Sequence, residues 1–182
     1  MARNIEIKAR IESVDGILPR VAPLADSGPV EIIQDDTFFP CETGRLKLRA
    51  FSADRGELIF YRRADQRGPK ESFYVVSPTT SPETLRETLT LAYGHAGRVR
   101  KNRTLFLAGR TRIHLDRVEG LGDFLELEVV LTDGETAESG EAIARDLMKK
   151  LGIRPDHLIE GAYIDLLDAL RRNNETDYHE TR

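Results

Sequence analysis

Asn4-Ile5-Glu6-Ile7-Lys8-Ala9-Arg10-Ile11 alternates without a break. Ile5, Ile7, Ala9 and Ile11 make one apolar face, and Asn4, Glu6, Lys8 and Arg10 make a charged or polar one. Successive side chains of a strand point to opposite sides, so this stretch predicts a β-strand with one apolar and one charged face.

The same period of two recurs along the chain. Ile32 to Phe39 sets Gln34, Asp36 and Phe38 on one face, and Gly44-Arg45-Leu46-Lys47-Leu48-Arg49 groups Arg45, Lys47 and Arg49. Glu57 to Arg63 aligns Glu57, Ile59, Tyr61 and Arg63, and the next segment aligns Lys70, Ser72 and Tyr74. Val99 to Phe106 brings Lys101 and Arg103 together, and Arg110 to Asp116 aligns Arg110, Arg112, His114 and Asp116. Phe124 to Val130 places Glu126 and Glu128 opposite Leu125, Leu127 and Val129. Turn-forming runs such as Ala53-Asp54-Arg55-Gly56 and Glu119-Gly120-Leu121-Gly122 separate several of these eight segments.

Helical patterns are fewer. A short one is expected from Val14 to Leu24, with Pro19 either starting or breaking it. Ser81-Pro82-Glu83 reads as an N-cap, a proline in the first turn and an acidic start to a helix ending near Tyr93. Thr136 to Leu151 reads as a helix stopped by Gly152, and Pro155 is expected to open a last helix reaching about Arg172. The expectation is one domain over residues 1–172 and a polar, frayed tail over residues 173–182.

Composition narrows the function classes. Charged residues make up 32% of the 182, yet the formal net charge is only −4, so any anion site must be built locally. Cys41 is the sole cysteine, which excludes an intrachain disulfide and a cysteine-based zinc site. Neither a Walker A loop nor a dinucleotide fingerprint occurs, so phosphates would be held by side chains. No apolar run approaches the roughly 18 residues of a membrane span, and no apolar leader follows Met1; the cytoplasm is the expected location.

Two arrangements answer the alternation. One is a half-exposed antiparallel sheet whose charges face water. The other closes the strands into a barrel with the charged faces inside and the three later helices covering the apolar outside. Sorting by sign favours closure: four segments carry Lys or Arg two residues apart, while Phe124 to Val130 gathers Glu126 and Glu128. A cationic interior asks for a polyanion, and carboxylates beside it make sense as ligands of a divalent cation bridging phosphate oxygens.

In order and spacing these motifs resemble the CYTH family, named for class IV adenylyl cyclases and thiamine triphosphatases and also called triphosphate tunnel metalloenzymes. The likeness runs from Asn4 to about Asp165. It rests on Asn4-Ile5-Glu6-Ile7-Lys8, Gln34-Asp35-Asp36-Thr37-Phe38-Phe39, Gly44-Arg45-Leu46-Lys47-Leu48-Arg49, Tyr61-Arg62-Arg63, Tyr163-Ile164-Asp165-Leu166-Leu167 and, most strongly, the stretch from Lys101-Asn102-Arg103 through Arg112-Ile113-His114-Leu115-Asp116 to Phe124-Leu125-Glu126-Leu127-Glu128.

The resemblance implies an α+β fold, a closed eight-stranded antiparallel β-barrel flanked by helices. It implies Mg²⁺ or Mn²⁺ as cofactor, with Glu6, Glu126, Glu128 and Asp116 as metal ligands. Lys8, Lys47, Arg49, Arg63, Lys70, Lys101, Arg103 and Arg112 would line the phosphate path, and Glu6, Lys8 and Asp116 would serve catalysis. Asn4 stands where the family signature, Glu-x-Glu-x-Lys, has its first Glu; it is a neutral, weaker ligand. The functions implied are adenylyl cyclase, converting ATP to cyclic AMP and pyrophosphate; a triphosphatase acting on inorganic triphosphate, thiamine triphosphate or a nucleoside triphosphate; or a non-catalytic binder of phosphate compounds. The partner is a small-molecule triphosphate, with no nucleic acid or membrane involved, and a homodimer is compatible with this reading.

Overall fold

The computed structural model describes the backbone of residues 2–180 and the side chains of residues 3–173. Its strands are β1 (Ala2–Arg10), β2 (Ser27–Phe39), β3 (Arg45–Ser52), β4 (Arg55–Arg63), β5 (Lys70–Thr79), β6 (Gly97–Ala108), β7 (Thr111–Val118) and β8 (Gly122–Val130). They close into one antiparallel barrel in the order β1-β5-β4-β3-β2-β6-β7-β8. Two meanders, β2 to β5 and β6 to β8, join through the β2–β6 pair, and β1 seals the other seam between β5 and β8. Closure leaves no open sheet edge to pair with another chain.

Register carries the alternation into the barrel. Glu6 lies opposite Glu128 and Lys8 opposite Glu126 across β1 and β8. Arg112 lies opposite Glu128 and His114 opposite Glu126 across β7 and β8, while Gln34 faces Lys101 and Asp36 faces Arg49. Because the side-chain period is two, one such pair fixes the facing of both whole strands.

The apolar faces of β1, β7 and β8 point outward and are covered by α1 (Val14–Val21) and α3 (Ala137–Leu151). Ile5, Ile7, Ile113, Leu115, Leu125 and Leu127 are fully buried there with Val14, Val21 and Leu151. Each such side chain contributes about 1.5–3 kcal/mol by leaving water. Gly140 lets α3 close in, because a Cβ at that position would meet Ile5 and Leu131 side chains at 2.6 and 2.7 Å. The opposite wall is covered only in part, by α2 (Pro82–Tyr93) against β3, and Ile33 and Val75 there are 70% and 49% exposed.

Several boundaries differ from those expected. The early helix ends at Val21, after which a 3-10 turn spans Ala22–Leu24; Pro19 is accommodated inside it, and Ser13 caps its start by accepting from the Gly16 amide. Covering therefore falls to this early helix as much as to the later ones. Pro82 and Glu83 open α2 as expected, but the Ser81 side chain makes no capping hydrogen bond. Gly152, in the left-handed conformation at φ 71°, stops α3.

The largest difference is at the C-terminal end. Pro155–His157 forms a single 3-10 turn and no helix. The chain then crosses the end of the barrel beside β1, where Leu158 bridges Ala9 and the Ile159 amide donates to the Lys8 carbonyl at 3.0 Å. The helix resumes as α4 (Tyr163–Glu180), which continues past Arg172 through most of the expected tail; residues 181–182 lie outside the described residues. Ala162, Tyr163 and Ile164 are buried at the barrel end among Phe38, Ile59, Val99 and Phe124, and this seating decides where the helix begins. No helix among the described residues is long and apolar enough to cross a membrane.

Candidate functional site

The bore of the barrel is a cavity of about 440 Å³, within the range of small-molecule sites. The charged faces of all eight strands meet in it, apart from the groups noted below. Its charged lining comprises seven cations, Lys8, Lys47, Arg49, Arg63, Lys101, Arg103 and Arg112, and five carboxylates, Glu6, Asp36, Glu57, Glu126 and Glu128. Asn4, Gln34, His114 and Tyr163 also line it. One end is closed by the segment leading into α4. There the Gly161 carbonyl accepts from Lys8 Nζ at 3.4 Å and Arg63 Nη2 at 2.6 Å, and Arg45 pairs with Asp165. The other end, with Ile32, Glu57, Val76 and Arg112, is open, and Val76 is 40% exposed.

Three carboxylates in or behind the bore, Asp36, Asp116 and Glu126, each hold two cations. Asp36 takes Arg49 Nε and Nη2 at 2.8 Å each and Lys47 Nζ at 2.9 Å. Asp116 takes Arg103 Nε and Nη2 at 2.6 Å each and Lys101 Nζ at 3.0 Å. Glu126 meets Lys8 Nζ at 3.2 Å and Arg103 Nη2 at 2.7 Å. Glu6 pairs with Arg63 at 2.6 Å, and Glu128 with Arg112 at 2.7 Å. Where two cations share one carboxylate, neither is fully compensated, and both retain N–H groups for an anion.

Burial and these contacts set the ionisation. Burial pushes Lys47 down to about 7, with Arg49 adding to the drop and Asp36 opposing it. Burial likewise pushes Lys8 down to about 8 against the pull of Glu126. Burial works to raise Asp36 and Asp116, yet Arg49 and Lys47 hold the first, and Arg103 and Lys101 the second, far below the usual carboxylate range. Glu128 is held at about 2 against burial by His114, Arg112 and Arg103. Burial and the charge of Arg103 lower the His114 imidazole.

The structure separates the expected site residues into groups. Glu6, Lys8, Lys47, Arg49, Arg63, Lys101, Arg103, Arg112, Glu126, Glu128 and Asn4 all face the cavity. Asp116 does not: it is fully buried behind Lys101 and Arg103 and also accepts from Tyr163 Oη at 2.9 Å. Lys70 is 2% exposed, and its Nζ donates to the Gln66 carbonyl at 3.0 Å without lining the bore. His114 joins Glu126 and Glu128 in the one group of potential metal donors found among the described residues, with ligand atoms within 4.8 Å of one another. The sequence aligns His114 with Arg112 and Asp116 on one strand face and assigns it no role; that shared face was the available signal. The roles of Asp36, which orders Lys47 and Arg49, and of Tyr163 were also missed. Tyr163 packs against Phe124 with ring centroids 4.9 Å apart and planes tilted by 58°, and it lies under Lys8 Nζ at 3.8 Å.

A closed antiparallel barrel with a two-signed, cation-rich bore, helices outside and a helix start stopping one end defines a tunnel-type barrel. The CYTH domain profile matches residues 2–163, and the chain belongs to the CYTH family, whose members are adenylyl-cyclase-like or triphosphatase enzymes with metal-dependent tunnels. It is similar to adenylate cyclase CyaB of Aeromonas hydrophila, 24% identical over 94% of this chain and 93% of that one. Among solved structures it is similar to the PH1012 protein of Pyrococcus horikoshii OT3, with TM-score 0.80 and 26% identity over 90% of this chain and 98% of that one. HpAC1 from Hippeastrum, described as having a dominant triphosphatase activity, shares the fold at TM-score 0.65 and 15% identity, over 93% of this chain and 96% of that one.

Proposed function

We propose that the chain is a divalent-cation-dependent enzyme that draws a triphosphate into the bore, and that its reaction converts ATP to cyclic AMP and pyrophosphate. The observation that carries this reading is the sharing of Asp36 and Asp116 by two cations each, which leaves Lys47, Arg49, Lys101 and Arg103 around one stretch of bore with N–H groups to give. An extended polyphosphate answers that arrangement, Arg by its fork and Lys as a point charge. The likeness to a cyclase over nearly the whole of both chains supports the choice of reaction.

The donor set of His114, Glu126 and Glu128 suits a divalent cation, because the His114 Nδ1 atom is buried without a hydrogen-bond partner and two carboxylates stand beside it. Held there, the cation would supply positive charge to phosphate oxygens. The rest follows from the chain. Phosphates enter by the open end, because Tyr163 and Gly161 stop the other. Lys8, Lys101 and Arg103 meet the inner phosphates, and Arg112, nearer the mouth, meets the α-phosphate side. The ribose 3′-oxygen attacks the α-phosphorus in line and gives its proton to a lining carboxylate. The bond to the bridging oxygen breaks, and the pyrophosphate takes the electron pair into a field already arranged for negative charge.

Chromatography of products from ATP with Mn²⁺ or Mg²⁺ tests this. Cyclic AMP with pyrophosphate is expected. Orthophosphate without a cyclic product would assign the barrel to triphosphate hydrolysis, and no turnover of ATP, inorganic triphosphate or thiamine triphosphate with either ion would overturn the enzyme reading.

A further inference from the structure

We infer that His114 is itself a ligand of the barrel's divalent cation, and that its nitrogen tunes the site toward a transition ion such as Mn²⁺ and away from Mg²⁺. This rests on the reading that the bore holds a divalent cation.

The imidazole is 4% exposed and faces the bore from β7. Its Nδ1 lies 3.7 Å from Glu126 Oε2 and 3.8 Å from Glu128 Oε1, beyond hydrogen-bond reach of either, and has no other partner. A polar atom buried in this way is retained when something else satisfies it. Two ligands that share an ion at about 2.1 Å stand roughly 3–4 Å apart, so the separations from Nδ1 suit an ion shared by the imidazole and either carboxylate. A structural role would instead draw the imidazole onto one carboxylate.

The neighbouring cations leave room for this. Arg112 holds Glu128 through Oε2, which leaves Oε1 on the histidine side, and its own side chain is 31% exposed and able to turn toward an incoming phosphate. Arg103 is anchored on Asp116 by two nitrogens and keeps that hold if it yields Glu126. On the adjoining strand β1, the Asn4 Oδ1 atom is also buried without a partner and lines the same cavity. In the group of His114, Glu126 and Glu128 one nitrogen stands with two carboxylates, a softer set than an all-carboxylate site. Mg²⁺ demands oxygen ligands and gives up water reluctantly, whereas a first-row transition ion accepts an imidazole nitrogen in the set, Mn²⁺ least strongly and the later ions more so.

Electron paramagnetic resonance of Mn²⁺ titrated into the full chain tests the inference without turnover. Bound Mn²⁺ is expected to show ¹⁴N hyperfine coupling. In His114→Gln that coupling should vanish and Mn²⁺ affinity should fall about tenfold or more, with Mg²⁺ affinity, read by competition, changing less. If the variant does not fold, the wild-type coupling alone decides. Bound Mn²⁺ without nitrogen coupling, or unchanged affinity in a folded His114→Gln, overturns the inference and leaves the metal-dependent reading standing. Failure of the wild type to bind either ion overturns both.

Discussion

Tyr163 donates its hydroxyl to Asp116 Oδ2 at 2.9 Å, joining the first residue of α4 to β7. Asp116 is fully buried and Tyr163 nearly so, and burial with the charge of Asp116 holds the Tyr163 hydroxyl in its protonated, donating form. The same carboxylate anchors Lys101 and Arg103. One contact therefore ties the stopper of the barrel to the basic row that lines the bore. Asp116 is accordingly a positioning residue.

Removing that hydroxyl in Tyr163→Phe should cost about 1.5–3 kcal/mol, the range for a hydrogen bond to a charged group. Asp116→Ala should cost more, about 3–5 kcal/mol, because it strands two buried cations. Urea unfolding of both variants checks the order. Equal stability of Asp116→Ala and wild type would contradict the anchoring role.

Stability of the ligand-free chain should rise with pH above neutrality. Burial holds Lys47 at about 7 and Lys8 at about 8, against 10.5 for an unperturbed lysine. Between those values and 10.5 the unfolded chain binds more protons than the native one, so the slope of unfolding free energy with pH is positive. A bound polyanion restores the native lysines toward their ordinary value, so binding near pH 8 takes up protons. Calorimetry of inorganic triphosphate binding in two buffers of different ionisation enthalpy reads that uptake directly; equal heats in both would contradict it.

Glu128→Ala should abolish metal-dependent turnover while leaving the fold in place, because the side chain faces the cavity and contributes nothing to the outer core. Steady-state rates with saturating Mn²⁺ check this, and an unchanged rate would remove Glu128 from the metal group.

Most of the barrel could be read in advance because alternation is local. Each strand's inward set, such as Asn4, Glu6 and Lys8 or Lys101 and Arg103, follows from period two once closure is granted. What escaped is tertiary. Pro155 is a sound start signal, but the burial of Tyr163 at the barrel end moves the long helix eight residues on, from Pro155 to Tyr163. Asp116 shares the parity of His114, yet Tyr163 and two cations enclose it, which no spacing reveals. Lys70 lies opposite Glu6, but the loop before it offers the Gln66 carbonyl and draws its ammonium aside. His114 was visible as a residue on the right face; its lack of a partner was not.

The most direct test of the central claim, that the basic rows grip a triphosphate inside the barrel, is calorimetric binding of inorganic triphosphate to the wild type and to Arg49→Ala and Lys101→Ala. One molecule should bind per chain, with affinity about tenfold or more weaker in each variant, equivalent to about 1.4 kcal/mol. Absence of binding, or equal affinity in all three proteins, would contradict it.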